Sequence, residues 1–373
     1  MKHLTLPPIA SAGQPLAAID TPALVLDLDA FERNLDRLQA AADAAGVKLR
    51  PHGKAHKTPA VALAQIARGA VGICCQKVSE ALPFIEAGVA DIHISNEIAS
   101  LPKAALLAQA ALVARMSVCV DDIVQVDMLG QAAAQAGSRL GVFVEIDIGH
   151  GRCGVTGIEG VLPLLDRIAR HPQLEFRGLQ AYHGTLQHLR SHAERRERSA
   201  RAAARAGEVV LALEARGVRC GTVTGGGSGS AEFDFASGVF TEIQAGSYAF
   251  MDRDYGDNEY TDTLRFEHAM FLACTVMSTA AKGHAVVDAG LKSLTTDSGL
   301  PGIWPPGRLR YHQASDEHGV VHAIDGPLPA LGQQLLLVPG HCDPTINLHD
   351  QIVCLRAGVV EALWPVSSRG LSR

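Results

Sequence analysis

The chain has 373 residues, 47% of them hydrophobic and 19% charged, with 37 glycines and a net charge of −6. That composition is globular rather than disordered or fibrous, and the length gives a prior of about two domains, barrels being the familiar exception. Net negative charge and 5% aromatic residues leave neither an electrostatic footprint nor stacking platforms for nucleic acid, so no nucleic-acid partner is expected.

The first stretch, MKHLTLPPIASAGQPLAAID, carries prolines and no continuous apolar h-region, unlike a signal peptide. The longest apolar run, near Ala104 to Ala114, is too short to span a bilayer. The expectation is a cytoplasmic protein with no membrane partner. Eight cysteines occur without any C-x-x-C, which argues against a structural zinc module and a secreted disulfide framework and favours small reduced core residues.

Residues 1–21 read as an N-terminal segment packing on a later β domain. From 22 to 261, short apolar or β-branched runs alternate with amphipathic helical segments, the pattern of βα units around a parallel sheet. The predicted strands are ALVLDL (23–28), VKLRP (47–51), VGICC (71–75), DIHIS (91–95), ARMSVCV (114–120), GVFVEIDIG (141–149), FRGLQAY (176–182) and RCGTVTGG (219–226). Between them, residues such as Phe31, Leu35, Leu38 and Ala42 recur at helical spacing opposite Glu32, Arg33, Asp36 and Arg37. Eight repeats in this length favour a TIM-type (β/α)8 barrel over an open sheet. The basic run Arg195, Arg196, Arg198 and Arg201, interleaved with Glu194 and Glu197, reads as a solvated helix face. From 262 to 373 the runs FLACTVMST, HAVVDAG, VVHAIDG, QQLLLVPG, QIVCLRAG and VEALWPV predict a second, mostly β domain.

LRPHGKAHKTPA (49–60) puts His52, Lys54, His56 and Lys57 where a buried strand ends, the end at which βα barrels carry their chemistry. Alone, such a lysine is most often solvated. Read as extended chain, His52, Lys54 and His56 share a face and Lys57 lies opposite. Crowding by cations, with partial burial, would then lower the lysine pKa and provide the neutral amine that Schiff-base chemistry needs.

The glycine cluster Thr224, Gly225, Gly226, Gly227, Ser228, Gly229 follows the last predicted barrel strand, where such barrels bind phosphate through backbone N–H groups; a flexible loop is the other reading. EIQAGSYAFMD (242–252) offers Gly246, Ser247 and Tyr248 as a second set of donors. A lysine plus a phosphate cup in a barrel points to pyridoxal phosphate. Arg152, in DIGHGRCGV, would donate to a pyridine nitrogen without accepting its proton, or is a surface arginine in a turn. In QAYHGTLQH, Tyr182 and His183 end strand seven and His188 is expected to open the next helix, all at the catalytic rim. In LLLVPGHCDPT, His341 and Asp343 of an extended segment would point one way and Cys342 the other, an N/O pair suited to Mn2+ or a similar divalent ion, or a polar turn.

Together these segments, with DTPALVLDLDAFERNL (20–35) and EIDIGHGRCGV (145–155), resemble the D-threonine aldolases, within the alanine racemase-like, fold type III group of pyridoxal phosphate enzymes. The similarity spans nearly the whole chain. It implies a barrel plus a C-terminal β domain, a homodimer, and an amino-acid substrate. It implies cofactor attachment at Lys54, Arg152 at the ring nitrogen, phosphate contacts around Gly226, Gly227 and Tyr248, with Tyr182, Thr224, Ser228 and Gly246 also in the cofactor site. It further implies metal ligands His341 and Asp343, with Mn2+ ahead of Mg2+, Co2+ or Zn2+, and an acid/base at His188.

The expected reaction is retro-aldol cleavage of D-threonine and related D-β-hydroxy-α-amino acids to glycine and an aldehyde. The alternative is a D-serine or D-threo-3-hydroxyaspartate type dehydratase, whose relatives carry His-x-Cys at the metal position where this chain has Asp343. A pyridoxal phosphate carrier resembles the barrel alone, and a barrel metallohydrolase lacks a multi-histidine set beyond His52 and His56.

Overall fold

The structure, a computed structural model, describes residues 6–261 and 264–373. The first five residues of the N-terminal segment and the start of the predicted second domain, 262–263, lie outside the described residues. The chain divides into two compact units: one holds the chain up to Leu35 with Ser247–Asp257 and Phe266–Arg369, the other Asp36–Gly246, Asn258–Arg265 and Gly370–Arg373.

Strand β1 (Ala23–Asp27) is followed by the eight strands of the second unit: β2 (Lys48–Leu49), β3 (Ile73–Cys75), β4 (Asp91–Glu97), β5 (Arg115–Val120), β6 (Leu140–Glu145), β7 (Leu174–Ala181), β8 (Thr222–Gly225) and β9 (Glu242–Ile243). All pair in parallel, in the order β2-β9-β8-β7-β6-β5-β4-β3. The seam between β2 and β3 is closed by Val71 N–H donating to Leu49 O, Cys74 N–H donating to Pro51 O, and a His52–Cys74 bridge. This is a TIM-type (β/α)8 barrel.

The helices are α1 (Leu28–Ala45), α2 (Pro59–Ile66), α3 (Val78–Glu86), α4 (Leu101–Ala110), α5 (Ile123–Ala136), α6 (Gly157–Ile168), α7 (His192–Glu214) and the short α8 (Ala231–Ala236). Local chemistry sets their ends. Asp122 caps α5 by accepting from Val124 N–H at 2.7 Å, Gln125 reaches back to the Asp122 N–H, and Gly137 ends the helix at φ 71°, a capping box and a left-handed C-cap.

The eight barrel strands are not the predicted eight. ALVLDL is β1 of the other unit, antiparallel to β10 (Met270–Ser278) and parallel to β16 (Gln351–Arg356). The eighth barrel strand is β9, two residues long and inside EIQAGSYAFMD. A strand buried on both faces reads as a continuous apolar run in either kind of sheet, so β1 carried no mark of its true partners.

The β unit adds β11 (Ala285–Val287), β12 (Gly302–Trp304), β13 (Leu309–Ala314), β14 (Gly319–Ala323), β15 (Gln334–Val338) and β17 (Val359–Pro365). The nine-stranded sheet runs β13-β14-β11-β10-β1-β16-β17, with β15 on β10 and β12 on β15. One face buries Leu272, Cys274, Val276, Val321, Leu335 and Leu337; the other buries Ala23, Val25, Phe271, Ala273, Val353 and Leu355 with Ala10 and Ile19 against it. Strands β12 and β13 were not predicted.

Arg195 departs from the predicted solvated face. It is fully buried, donating to Leu189 O and to Glu259 O (2.6 Å), with its guanidinium 5.4 Å from the Tyr260 ring centroid. Its neighbours Arg198 and Arg201 do pair on the surface with Glu194 and Glu197, at 2.7 and 3.6 Å. All eight cysteines are free, six of them buried. Among the described residues no helix is long and apolar enough to cross a membrane.

Candidate functional site

Lys54 lies in a single 3-10 turn, Gly53–Ala55, just beyond β2, and is half-buried. The predicted extended face does not form. His52 caps the turn, accepting the Lys54 N–H at Nδ1 (3.3 Å) while its Nε2 meets Ser95 Oγ and the Gln76 amide at 3.0 and 3.1 Å. His56 is buried and accepts Thr58 N–H at Nδ1 (3.1 Å). Rings using an Nδ1 lone pair are not doubly protonated, so the expected cation crowding is absent. Lys57 takes a left-handed backbone (φ 51°), and its buried ammonium meets Glu80 at 2.5 Å and Ser372 Oγ at 3.0 Å. Of the two lysines, Lys57 is committed to an ion pair, while Lys54 lies half-buried in the turn just beyond β2.

Gly246 abuts the same turn: a Cβ there would sit 3.0 Å from Ala55 Cβ and 3.2 Å from His52 O. The glycine cluster leaves β8 and enters α8. Gly226 has φ +67°, and a Cβ on it would lie 2.4 Å from Asp234 Oδ2; on Gly227 it would lie 2.6 Å from Gln187 Oε1. The loop is pressed so closely onto its support that only glycine fits, which leaves backbone as its outward surface. That support is Gln187, buried, which accepts Gly229 N–H and donates to Ser230 Oγ, both at 2.8 Å. Ser230 Oγ in turn donates to Asp234 at 2.6 Å. Burial pushes Asp234 up to about 7, against the hydrogen bonds from Ser230 and Gly227. Ser228 is buried in this loop.

Thr224 is directed into the barrel. Its hydroxyl donates to Glu242 (2.8 Å) and accepts from Gln244 (2.8 Å), and Gln244 reaches Gln180 at 2.7 Å. Arg50 joins the layer through Glu242 at 2.9 Å and Asp91 at 2.8 Å.

Arg152 follows β6, with its guanidinium 5.3 Å from the ring centroid of Tyr182, the residue after β7, a cation–π contact that orients the head group. Arg152 also lies 3.8 Å from Glu145. His150 and His183 approach at 5.5 Å between centroids, and both are held below the usual imidazole range, by burial first and by neighbouring cationic groups after it. His188 does not open a helix: it ends a 3-10 turn, Gly184–His188, and is exposed, with α7 starting at His192. Gln187 beside it faces inward, so one turn presents the imidazole and supports the glycine loop.

In the β unit, His341 is the extended N-cap of α10 (Cys342–Ile346), so the predicted strand-like segment becomes helical from Cys342. Cys342 is nevertheless buried, and its N–H donates to Asp252 at 2.8 Å. The Asp252 carboxylate also caps α9 (Arg253–Gly256) at Tyr255 N–H, 3.0 Å, so the end of the EIQAGSYAFMD motif anchors the His341 turn. His341 Nδ1–H donates to Asp297 Oδ2 at 2.7 Å. Burial pushes the Asp297 carboxyl upward, but the bonds from His341 and Thr295 hold it below the usual range. Asp343 is half-buried in the first turn of α10. Tyr248 is buried, 5.6 Å from the Phe266 ring.

These residues fit the two groups that the sequence pointed to. A half-buried primary amine and a backbone-surfaced glycine loop lie on the barrel's C-terminal ends. A histidine tied at Nδ1 to a carboxylate keeps Nε2 as its remaining ring donor atom, the usual arrangement of a metal-ligating imidazole, with a carboxylate two residues on. Asp297 and Gln187 were missed by the sequence reading, because neither sits in a motif and each acts through a contact between distant segments.

The family model for the alanine racemase N-terminal domain matches residues 26–254, and that for a putative serine dehydratase domain matches 269–355. A D-threonine aldolase from Arthrobacter sp. is 54% identical over 374 residues, covering 100% of this chain and 99% of that one. A 3-hydroxy-D-aspartate aldolase from Paracoccus denitrificans (strain Pd 1222) is 46% identical, covering 97% and 95%. The crystal structure of D-threonine aldolase from Filomicrobium marinum superposes with a TM-score of 0.96 at 48% identity, over 98% of this chain and 100% of that one. Through these matches, on this barrel and this β sheet, the chain belongs to the D-threonine aldolase family of lyases, on the alanine racemase-like, fold type III architecture.

Proposed function

We propose that the protein is a pyridoxal phosphate- and divalent-metal-dependent aldolase that cleaves D-threonine and related D-β-hydroxy-α-amino acids to glycine and an aldehyde. The observation that carries the reading is the 2.7 Å bond from His341 Nδ1–H to Asp297, which readies Nε2 as a ligand beside Asp343. A carboxylate as the second donor makes the set suited to Mn2+ or another borderline-to-hard ion. The same reading takes the working form as a cytoplasmic homodimer.

The cofactor supplies an electron sink for the carbanion left at Cα, and a divalent cation acidifies a neighbouring hydroxyl. Lys54 holds the cofactor through its ε-amine. Backbone N–H groups around Gly226, Gly227 and Ser228, with Gly246 and Tyr248, would bind its phosphate. Arg152, oriented by Tyr182, would donate to the ring nitrogen and, being unable to accept a proton there, would leave the ring uncharged. His341 and Asp343 hold the cation. His188 would take the proton from the substrate β-hydroxyl as the Cα–Cβ bond breaks, and a proton delivered to Cα in its place would complete glycine.

Product analysis with D-threonine tests the assignment: acetaldehyde and glycine are expected. Formation of 2-oxobutyrate and ammonia would assign the dehydratase reaction instead.

A further inference from the structure

We propose that Glu97, Asp121 and Cys153, backed by Glu145, form a second divalent-cation site at the C-terminal end of the barrel, one with a thiolate ligand and therefore suited to Zn2+ or Cd2+. Glu97 ends β4, Asp121 follows β5, Glu145 ends β6, and Cys153 sits in the loop after it. One ligand atom from each of Glu97, Asp121 and Cys153 lies within 4.8 Å of the others. Bonds of about 2.0–2.3 Å to one ion put donors within roughly 4.6 Å of one another, so a small closure of this cluster would bring all three onto a single ion.

Glu145 is the independent pointer. It is 3% exposed, and among the described residues no protein donor reaches its Oε2 or Glu97 Oε1; the two carboxyls lie against each other, where they can share only a proton. Two carboxyls pressed together in a buried place are costly to ionise, a cost that a bound cation would offset. The Arg152 guanidinium, at 3.8 Å from Glu145 Oε1, is too distant for a hydrogen bond. Crowding of like charge has its expected effect: burial first, then Glu97, pushes Glu145 up to about 8 and Cys153 up to about 11.

Asp121 is already oriented as a ligand would be. One oxygen accepts Gly154 N–H at 3.0 Å and the other accepts from Gln125 at 2.8 Å, bonds that fix the carboxylate without using all its lone pairs. On binding, the Cys153 Sγ–H proton leaves to solvent and Sγ donates its electron pair to the ion, with no redox change. The donor set, one sulfur and two carboxylates, differs in kind from the His341–Asp343 pair, and it belongs to the other unit of the chain.

The test is a Cd2+ titration of chelator-treated holoenzyme, followed by the ultraviolet thiolate-to-cadmium charge-transfer band. The band is expected to rise and saturate in the wild type, to persist in Cys342→Ser and Cys220→Ser, and to vanish in Cys153→Ser. Asp121→Asn keeps an acceptor for Gly154 N–H, and Glu145→Gln keeps the shape. Each should raise the cadmium concentration at half-saturation about 10-fold or more. Absence of the band in the wild type, its survival in Cys153→Ser, or unchanged saturation in both carboxylate variants overturns the site. The readout does not depend on turnover, so it stands or falls separately from the aldolase assignment.

Discussion

His341 donates through Nδ1 to Asp297 Oδ2 at 2.7 Å, so the ring is held in one tautomer and one orientation by a residue 44 positions away in the chain. Removing such a partner leaves the ligand in place but lets it swing. Asp297→Ala is expected to weaken Mn2+ binding by about 10- to 100-fold while leaving kcat at saturating Mn2+ close to the wild-type value. Metal titration of D-threonine cleavage checks this; an unchanged half-saturating Mn2+ concentration would remove Asp297 from the proposed site.

The two neighbouring lysines should separate cleanly. Lys57 and Glu80 form a buried pair, with side chains 7% and 4% exposed, and truncating one member strands the other. Lys57→Ala is therefore expected to cost about 3–5 kcal/mol of stability yet retain the bound-cofactor absorbance. Lys54→Ala, in a half-buried turn, should lose that absorbance with little change in melting temperature. The reverse pattern would exchange their roles.

Gln187 is a support for the glycine loop, holding Gly229 N–H and Ser230 Oγ at 2.8 Å each. Gln187→Ala leaves both without these partners in a buried place, at a cost of about 1–3 kcal/mol for each such group. Cofactor retention during dialysis should fall before activity at saturating pyridoxal phosphate does. Equal loss of both would point to a direct role in the reaction.

Asp234 predicts a pH dependence of stability. Its carboxyl is raised from 3.8 to about 7 by burial, so between those values the unfolded chain has released a proton that the folded chain keeps. Stability linked to this group is full below about pH 4 and is lost as pH rises toward 7, at no more than ~1.4 kcal/mol per pH unit. Asp234→Asn should abolish that part of the slope. Melting temperatures from pH 4 to 8 for both proteins measure it; parallel curves would contradict the assignment.

Much of the architecture was legible because periodicity and turn chemistry are local. The alternation of strands and helices and the later change to strand-and-turn grammar were visible in the chain, and so were the glycine loop after β8 and His341-x-Asp343. What was not legible is instructive. His52 and His56 looked like cations beside Lys54, yet each uses a lone pair on backbone N–H, a decision made by a 3-10 turn that no spacing announced. Arg195 looked like its exposed neighbours until carbonyls of Leu189 and Glu259 came around it.

From sequence alone came the class of fold and the short list of chemically able residues, since these follow from side-chain type and near-neighbour spacing. Tertiary structure alone decided that β1 belongs to the β sheet and the two-residue β9 to the barrel. It also decided that Lys57 is spent on Glu80, and that Asp297 backs His341, Gln187 backs the glycine loop and Glu145 is crowded against Glu97. The physical reason is common to all of these. Strand partners, buried ion pairs and the carboxylate behind a histidine are contacts between segments far apart in the chain, and their energies depend on burial that does not exist until the chain has closed.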